Sequence, residues 1–280
     1  MEEGSGRIAI RGKLHRGRPG VLYKRQSAQR SRSGCRREDI TWRIRRDVGM
    51  IRSYGFICGC GHSATTLTAT ILASHPDVYL PLEETNIFFK WAPLALFRYG
   101  KLKRATRAQH KSVLVEKTPR HVRRVARIRR LVPKAKFVMP VRDGRDVVAS
   151  LTKRLGDPAA SLDRWISDND LVLAEQGKPD VLIYRYEDLV DDPAGTIENI
   201  CAFLQLSFDP VMLEFHRKPQ KWFNPQAAES QPEHVMLRNR QVNQPIYDGR
   251  GRWRKELGKS ELVELVEGRG KHLMQAFGYI

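Results

Sequence analysis

Residues 54–86 read YGFICGCGHSATTLTATILASHPDVYLPLEETN, and this stretch decides the fold of the chain. Residues 54–58 form a short apolar run, which predicts one buried strand. A glycine-rich turn follows, and after it apolar residues recur at the spacing of a helix. The first amide groups of such a helix have no partner within the helix and carry partial positive charge. We therefore predict that the turn binds a phosphate-like or sulfate-like anion.

The groups that would donate to this anion belong to six consecutive residues, named here the anion loop: Gly61, His62, Ser63, Ala64, Thr65 and Thr66. A P-loop NTPase has a lysine directly before the Ser or Thr of its motif, where this chain has His62. The missing lysine argues against hydrolysis of ATP or GTP. An ordinary strand-to-helix turn with a Ser or Thr cap is the alternative that this stretch alone leaves open.

A second unit of strand, turn and helix lies in residues 136–151, which read KFVMPVRDGRDVVASL. The pattern predicts a strand over residues 137–141 with Arg142 at its carboxyl end. The helix that begins at about Gly144 carries Ser150, eight residues after Arg142. Both side chains can reach one further anion.

Together, the two stretches resemble the sulfotransferases that use 3'-phosphoadenosine 5'-phosphosulfate (PAPS), in the style of the bacterial and tyrosylprotein-type members. The resemblance covers about residues 54–280. It implies that the anion loop holds the 5'-phosphosulfate and that Arg142 and Ser150 hold the 3'-phosphate. The chain departs from the family in two places, because His62 stands where the family has Arg or Lys and Ala64 stands where it has Gly.

The same resemblance assigns the catalytic groups. Glu84, in Glu83-Glu84-Thr85, corresponds to the family's base, and Glu83 is the alternative. Lys117 follows a strand predicted over residues 112–115 and corresponds to a lysine that contacts the sulfonate. His62 is expected to act with Lys117 and the loop amides as a catalytic group that stabilises the sulfonate and the leaving phosphate. A solvated acidic turn is the simpler interpretation of the two glutamates if the resemblance is set aside.

Three further residues take nucleotide-binding roles from the resemblance. Tyr186 corresponds to a tyrosine near the adenine, and Arg250 with Gly251 corresponds to a basic segment that closes over the 3'-phosphate. Residues 217–244 lack a clear period, and we expect them to form a lid or acceptor loop.

Alternating strands and helices predict one α/β domain, a three-layer parallel sheet with helices on both faces and a P-loop-like nucleotide-binding core. Residues 101–111 are predicted to be a polar, basic connector. The helix expected to run from Pro119 to about residue 132 has many arginines, which are assigned to a solvated face. Residues 260–276 are predicted to form one amphipathic helix.

The net charge of +19 is unevenly distributed, since residues 1–50 alone contribute +9. We predict that residues 1–48 are a disordered basic extension and that residues 49–280 are the sulfotransferase domain. An arm that binds a polyanion is the alternative for the extension. Nucleotides are the anionic partners that the resemblance favours, and nucleic acid is not the expected partner.

Four cysteines are too few and too scattered for a disulfide scaffold, so buried reduced thiols are expected, and no metal site is predicted. No apolar run approaches 18 residues, and the N-terminus lacks the pattern of a secretory signal. We therefore expect a soluble, cytoplasmic protein. No pattern in the sequence indicates its oligomeric state.

The expected function is transfer of a sulfonate group from PAPS to a hydroxyl, or less readily to an amine, with release of 3'-phosphoadenosine 5'-phosphate (PAP). The acceptor, whether small molecule, carbohydrate, lipid or peptide, has no motif. Two other classes stay open: a P-loop kinase or NTPase-like phosphoryl transferase, and an inactive nucleotide-binding or nucleic-acid-binding protein.

Overall fold

The structure is a computed structural model that describes residues 50–218, 222, 239–240, 242–257 and 261–280. Two predictions lie outside these described residues. They are the disordered basic extension over residues 1–48, and most of the lid or acceptor loop over residues 217–244.

A parallel sheet forms the centre of the described chain, with the strand order β2-β3-β1-β4-β5. Its strands are β1 (Ser53–Ile57), β2 (Val78–Tyr79), β3 (Val113–Lys117), β4 (Ala135–Val141) and β5 (Val181–Arg185). β1 is the central strand and pairs with β3 on one side and β4 on the other. Because the strands that follow β1 lie on both sides of it, the loop after β1 is at the switch point where ligands bind in such sheets.

The helices of the described chain connect these strands and close its C-terminal part. They are α1 (Thr65–Ala73), α2 (Ala92–Ala108), α3 (Val125–Leu131), α4 (Gly144–Leu155), α5 (Pro158–Leu173), α6 (Tyr186–Asp191), α7 (Pro193–Phe203), α8 (Trp253–Glu256), α9 (Glu261–Arg269) and α10 (Lys271–Ala276). Short 3-10 helices cover Ile87–Phe89, Pro119–Arg124 and Pro210–Arg217.

Each face of the sheet has its own hydrophobic core, because successive strand residues point to opposite faces. Phe56 of β1 and Phe137 of β4 pack on one face, against side chains of α2, α3, α4, α5, α9 and α10. Ile57 and Val138, the next residues of the same strands, pack on the other face against α1 and α7. The predicted three-layer α/β fold with helices on both faces is confirmed.

Aspartates fix the start of several helices. The side chains of Asp143, Asp157, Asp192 and Asp209 each accept a hydrogen bond from an amide two or three residues further along. Three of them precede a proline, whose missing amide and fixed φ suit the first helical position. The capped amides begin α4, α5, α7 and the 3-10 helix at residue 210.

The predicted connector over residues 101–111 is wrong, because α2 continues through most of it. Ala95, Tyr99 and Leu102 of α2 form an apolar stripe that packs against the core. In the sequence, the many basic residues of this segment make that stripe hard to recognise. This stripe has helical spacing, so packing on the sheet decides the structure of the segment.

Two other helix predictions differ from the structure. The helix expected from Pro119 begins with a 3-10 turn, and the α-helix starts only at Val125. The single C-terminal helix is divided into α9 and α10 at Gly270. A side chain at Gly270 would overlap the ring of Trp165, so close packing of the backbone on this tryptophan accounts for the division.

Cys58, Cys60 and Cys201, the described cysteines, are buried free thiols, as the sequence predicts. Burial raises the pKa of Cys201 to about 11, so its thiol stays protonated at neutral pH. None of the described helices has the length and apolar character needed to cross a membrane.

Two glycine substitutions test this packing. Gly144 begins α4, and a Cβ there would overlap the indole ring of the buried Trp165. Gly144→Ala should lower the free energy of unfolding by about 1–3 kcal/mol, the usual cost of overpacking. Gly100, inside α2, has open space where a Cβ would lie, with no other heavy atom within 4 Å. Gly100→Ala should therefore raise the free energy of unfolding by about 0.5–1 kcal/mol, through helix propensity.

Urea unfolding of both variants measures these changes. Gly144→Ala as stable as the wild-type protein would contradict the close contact between α4 and Trp165.

Candidate active site

The carboxyl ends of β1, β3 and β4 bring the predicted site residues to one edge of the sheet. Ile57, the last residue of β1, lies opposite Lys117, the last residue of β3. Arg142 follows directly after β4, on the other side of β1. The anion loop leaves β1 between them.

The anion loop has an unusual backbone. His62 and Ala64 both have φ of 69°, in the left-handed region that favours glycine. Within the described chain, the amides of Gly61, Ser63 and Ala64 donate to no other residue, and the buried Ser63 hydroxyl has no partner. Buried polar groups are normally hydrogen-bonded, so these donors suit an anion at the start of α1.

His62 connects the anion loop to α4. Its Nδ1 lies 2.7 Å from the Oγ of Ser150. The two residues come from different sequence stretches, and the structure brings them together. The neutral imidazole lacks the fixed charge of the Arg or Lys that the resembling family has at this position.

A cavity of about 360 Å³, named here the α4 cavity, lies on the α4 side of the anion loop. Its lining includes Thr66, Arg142, Ser150, Tyr186, Tyr247 and Arg252. The predicted pair Arg142 and Ser150 therefore shares one cavity with the loop and with the predicted adenine residue. The mixture of cations, hydroxyls and tyrosine rings suits a phosphorylated nucleotide.

Arg142 and Tyr186 are held as a pair at this cavity. The guanidinium carbon of Arg142 lies 4.6 Å from the centre of the Tyr186 ring, and its Nη2 donates to the carbonyl oxygen of Gly249. The Tyr186 hydroxyl donates to the carbonyl oxygen of Tyr247 and accepts from the amide of Gly249. Burial raises the pKa of Tyr186, so this hydroxyl remains a donor at neutral pH.

Asp146 holds in place the segment that contains Gly251 and Trp253. Its carboxylate accepts hydrogen bonds from the amides of Gly251 at 2.9 Å and Trp253 at 3.0 Å. Arg250 forms ion pairs with Asp191 and Asp248. Neither Gly251 nor Arg250 lines the α4 cavity, although Gly251 lies beside it through its contact with Asp146. Arg252 lines the cavity instead, and no sequence pattern distinguishes it from Arg250.

A second cavity of about 420 Å³, named here the Glu84 cavity, lies on the other side of the anion loop. Gly61, His62, Thr65 and Thr66 border it, with Glu84 and Asn86 opposite. His62, Thr65 and Thr66 line both cavities, so the two spaces meet at the anion loop.

Glu84 and Lys117 form an ion pair at this cavity. The Nζ of Lys117 lies 2.9 Å from Glu84 Oε1. The lysine side chain is fully buried, whereas the carboxylate side chain is 29% exposed. The ammonium also lies 4.8 Å from the ring centre of Trp222. This arrangement presents one buried cation and one accessible carboxylate beside the anion loop.

Glu83 does not line the Glu84 cavity, and its side chain is exposed. Burial raises the pKa of Tyr79, and the negative charge of Glu83 adds to that shift. Of the two adjacent glutamates, Glu84 is the one at the cavity.

A buried network that the sequence did not predict positions the loop with Glu84. Glu116, just before Lys117, accepts hydrogen bonds from Thr85 at 2.7 Å, from Thr118 at 2.5 Å and from His121 at 2.9 Å. The Thr85 hydroxyl therefore ties the residue next to Glu84 to the end of β3. In the sequence, the feature that could have indicated this network is a charged residue, Glu116, inside an apolar strand.

The ionisation of Glu116 depends on these partners. Burial raises the pKa of its carboxyl, but the charge of His121 and the hydrogen bonds from His121, Thr118 and Thr85 outweigh burial. The net result is a pKa below the ordinary 4.5. Glu116 is thus ionised at neutral pH and acts as an acceptor for the surrounding donors.

Two family models match the chain. The first, described as a sulfotransferase family, covers residues 94–210, and the second, a sulfotransferase domain, covers residues 157–267. Among curated proteins, the chain is 25% identical to nodulation protein NoeE of Sinorhizobium fredii, over 84% of this chain and 68% of that protein. It is also 25% identical to protein-tyrosine sulfotransferase A of Caenorhabditis elegans, over 61% of this chain and 55% of that protein.

A solved structure, the sulfotransferase domain from the curacin biosynthetic pathway, has a similar fold with a TM-score of 0.51. The match covers 82% of this chain and 99% of that domain at 16% identity. At this identity the likeness supports the fold and not a shared substrate.

The Glu116 network generates a stability prediction. Glu116→Gln should lower the free energy of unfolding at pH 7 by about 3 kcal/mol, because it removes one partner of a buried charged cluster. The pKa of Glu116 is lowered in the folded state, so its contribution is present above about pH 4.5 and lost as the pH falls below that value. The difference in the free energy of unfolding between the variant and the wild type should therefore be constant from pH 7 to about 5.5 and become smaller below about 4.5.

Urea unfolding across this pH range measures the difference. Glu214→Gln is the control, since Glu214 pairs with Arg217 at the surface and its loss should change stability by at most about 1 kcal/mol. A difference that stays constant down to the lowest pH at which both proteins fold would contradict the lowered pKa.

Proposed function

The chain is a member of the sulfotransferase family, and from this premise we propose that it transfers a sulfonate group from PAPS to a hydroxyl group of an acceptor and releases PAP. The observation that carries the proposal is the meeting of two cavities at the anion loop. One is lined by Arg142 and Ser150, and the other is lined by Glu84, whose carboxylate pairs with the fully buried Lys117. A donor and an acceptor can thus approach each other across the loop.

The donor's nucleotide would occupy the α4 cavity. Arg142 and Ser150 would bind the 3'-phosphate, and Tyr186 would lie beside the adenine. The amides of Gly61, Ser63 and Ala64 and the hydroxyl of Ser63 have no partner among the described residues, which supports the binding of the 5'-phosphate and sulfonate there. The buried Nε of Arg142, which has no partner among the described residues, supports an anion at that end.

The acceptor's hydroxyl would face Glu84. Its proton passes to the Glu84 carboxylate as a bond forms between the acceptor oxygen and sulfur. The bond between sulfur and the bridging phosphate oxygen breaks, and both bonding electrons leave with the phosphate of PAP. Lys117 and the loop amides would stabilise the charge on the sulfonate and on the leaving phosphate. Positioning and electrostatics therefore account for most of the catalysis.

Lys117 has a second role in this proposal. Its ammonium holds the Glu84 carboxylate in place before the acceptor binds, through the 2.9 Å contact. When Glu84 takes the proton, the ammonium is released to interact with the departing phosphate. The Lys117 ammonium would thereby interact first with the base, Glu84, and then with the leaving phosphate.

Nucleotide selectivity tests the donor assignment. PAP should raise the melting temperature, because a ligand that binds only the folded protein stabilises it. Adenosine 5'-phosphosulfate, which lacks the 3'-phosphate, should raise it much less, since Arg142 and Ser150 would have no phosphate to bind. ATP with Mg²⁺ is the third ligand, because it is the one that a P-loop kinase or NTPase would bind.

Differential scanning fluorimetry at equal ligand concentrations measures the three shifts. Equal shifts from PAP and adenosine 5'-phosphosulfate would remove Arg142 and Ser150 from the donor site. Phosphate release from ATP would favour the kinase or NTPase class instead.

Substitution of the base tests the chemistry. Glu84→Gln keeps the size of the side chain but cannot take a proton, so turnover should fall by roughly 10²–10⁴. PAP affinity should hardly change, because the base faces the acceptor. Glu83→Gln is the matched control, since Glu83 is exposed and outside the cavity, and its turnover should be near that of the wild-type enzyme.

Turnover of labelled PAPS and calorimetric PAP affinity are measured on both variants, with an acceptor found by screening phenols, carbohydrates, lipids and peptides. An active Glu84→Gln variant would refute the assignment, and an inactive Glu83→Gln variant beside it would transfer the role to Glu83.

A further inference from the structure

The Glu84 cavity is strongly basic. Four arginines line it: Arg120, Arg123, Arg154 and Arg164. They come from three parts of the chain, the 3-10 helix that follows β3, α4 and α5. Glu84 is the carboxylate among the residues that line this space, and it already pairs with Lys117.

The arginines have few carboxylate partners. Arg123 and Arg164 share the buried Asp168, with contacts of 2.8 Å and 3.6 Å. Arg120 lies with its guanidinium carbon 5.1 Å from the ring centre of Phe89. In the part of the chain that the structure describes, no carboxylate forms an ion pair with Arg120 or Arg154. Among the described residues, Glu84 already pairs with Lys117, so the four guanidinium groups share the single carboxylate of Asp168, an excess of three positive charges.

The excess of positive charge affects the pKa of Arg154. Burial lowers the pKa of this arginine, the charge of Arg164 lowers it further, and Glu84 only partly opposes them. A half-buried guanidinium next to another cation is stabilised by a bound anion.

The donor accounts for only part of this charge. Arg154 lines both cavities, so it lies where the 5'-phosphate and sulfonate of PAPS are proposed to bind. Arg120, Arg123 and Arg164 line the Glu84 cavity alone. These three face the space left for the acceptor, and the donor does not explain them.

We infer that the acceptor carries an oxyanion group, a carboxylate, phosphate or sulfate, which binds Arg120, Arg123 and Arg164 while the acceptor's hydroxyl faces Glu84. This inference rests on the proposed function, which identifies the Glu84 cavity as the acceptor side. Guanidinium groups recognise such oxyanions through paired, charge-assisted hydrogen bonds. A neutral acceptor would displace water from these arginines without replacing the lost hydrogen bonds.

Arg154 would have a separate role. It lies one turn after Ser150 on α4 and borders both cavities beside His62. It supplies a permanent positive charge near the anion loop, which an imidazole such as that of His62 does not carry.

The test uses the full chain saturated with PAP, so that the probe anions cannot occupy the donor site. Calorimetry compares two pairs of probes that differ only in charge: 4-hydroxyphenylacetate with 4-hydroxyphenylacetamide, and glucuronate with glucuronamide. The acid should bind roughly tenfold more tightly than its amide in at least one pair, the value of one charge-assisted hydrogen bond.

The double variant Arg120→Gln/Arg164→Gln should remove most of this preference and leave PAP affinity within about twofold of the wild type, because neither residue lines the α4 cavity. The control Arg107→Gln/Arg130→Gln removes the same charge from exposed positions outside the cavity and should keep the preference. If the double variant is unstable, the single variant Arg120→Gln, at an exposed position, replaces it and should reduce the preference.

The outcomes separate the two proposals. Loss of PAP binding by the wild-type protein would refute the proposed function and this inference with it. Intact PAP binding with equal affinity for acid and amide, or with no binding of any probe, would overturn the inference alone. So would a preference for the acids that survives in the arginine variants.

Discussion

The ion pair between Lys117 and Glu84 is the constraint on which the site depends. Lys117 is fully buried, and a buried ammonium without a partner is costly. Because β3 carries Lys117 to the edge of the sheet, the loop with Glu84 must fold back over that edge. The hydrogen bond from Thr85 to Glu116 holds the loop there. Two adjacent residues of β3, Glu116 and Lys117, therefore position the carboxylate beside the anion loop.

The anion loop depends on a similar constraint in its backbone. Its left-handed residues, His62 and Ala64, cost conformational energy that glycine would avoid. In this conformation the amides of Gly61, Ser63 and Ala64 have no partner among the described residues, and the loop lines both cavities. His62 joins this loop to Ser150, while Arg154 provides positive charge at the same place. We propose that these two residues share the role that an Arg or Lys in the loop would have alone.

The sequence predicted the sheet and the anion loop because both have local signals, namely apolar runs and the glycine-rich turn before α1. It could not choose between Glu83 and Glu84, since adjacent loop carboxylates look alike until the loop is folded. The arginines of the segment from Pro119 were assigned to a solvated face, and Arg120 and Arg123 are indeed exposed, but the sequence did not show that they also line the Glu84 cavity. That cluster combines residues from separate elements, and only the tertiary structure brings them together.

A crystal structure with PAP bound is the most direct measurement of the central claim. The account predicts the 5'-phosphate within about 3 Å of the amides of the anion loop, since charge-assisted hydrogen bonds have this length. It predicts the 3'-phosphate on Arg142 and Ser150 and the adenine beside Tyr186, with the Glu84 cavity left for the acceptor. PAP bound in the Glu84 cavity, or in the α4 cavity with its two phosphate ends exchanged, would contradict the account.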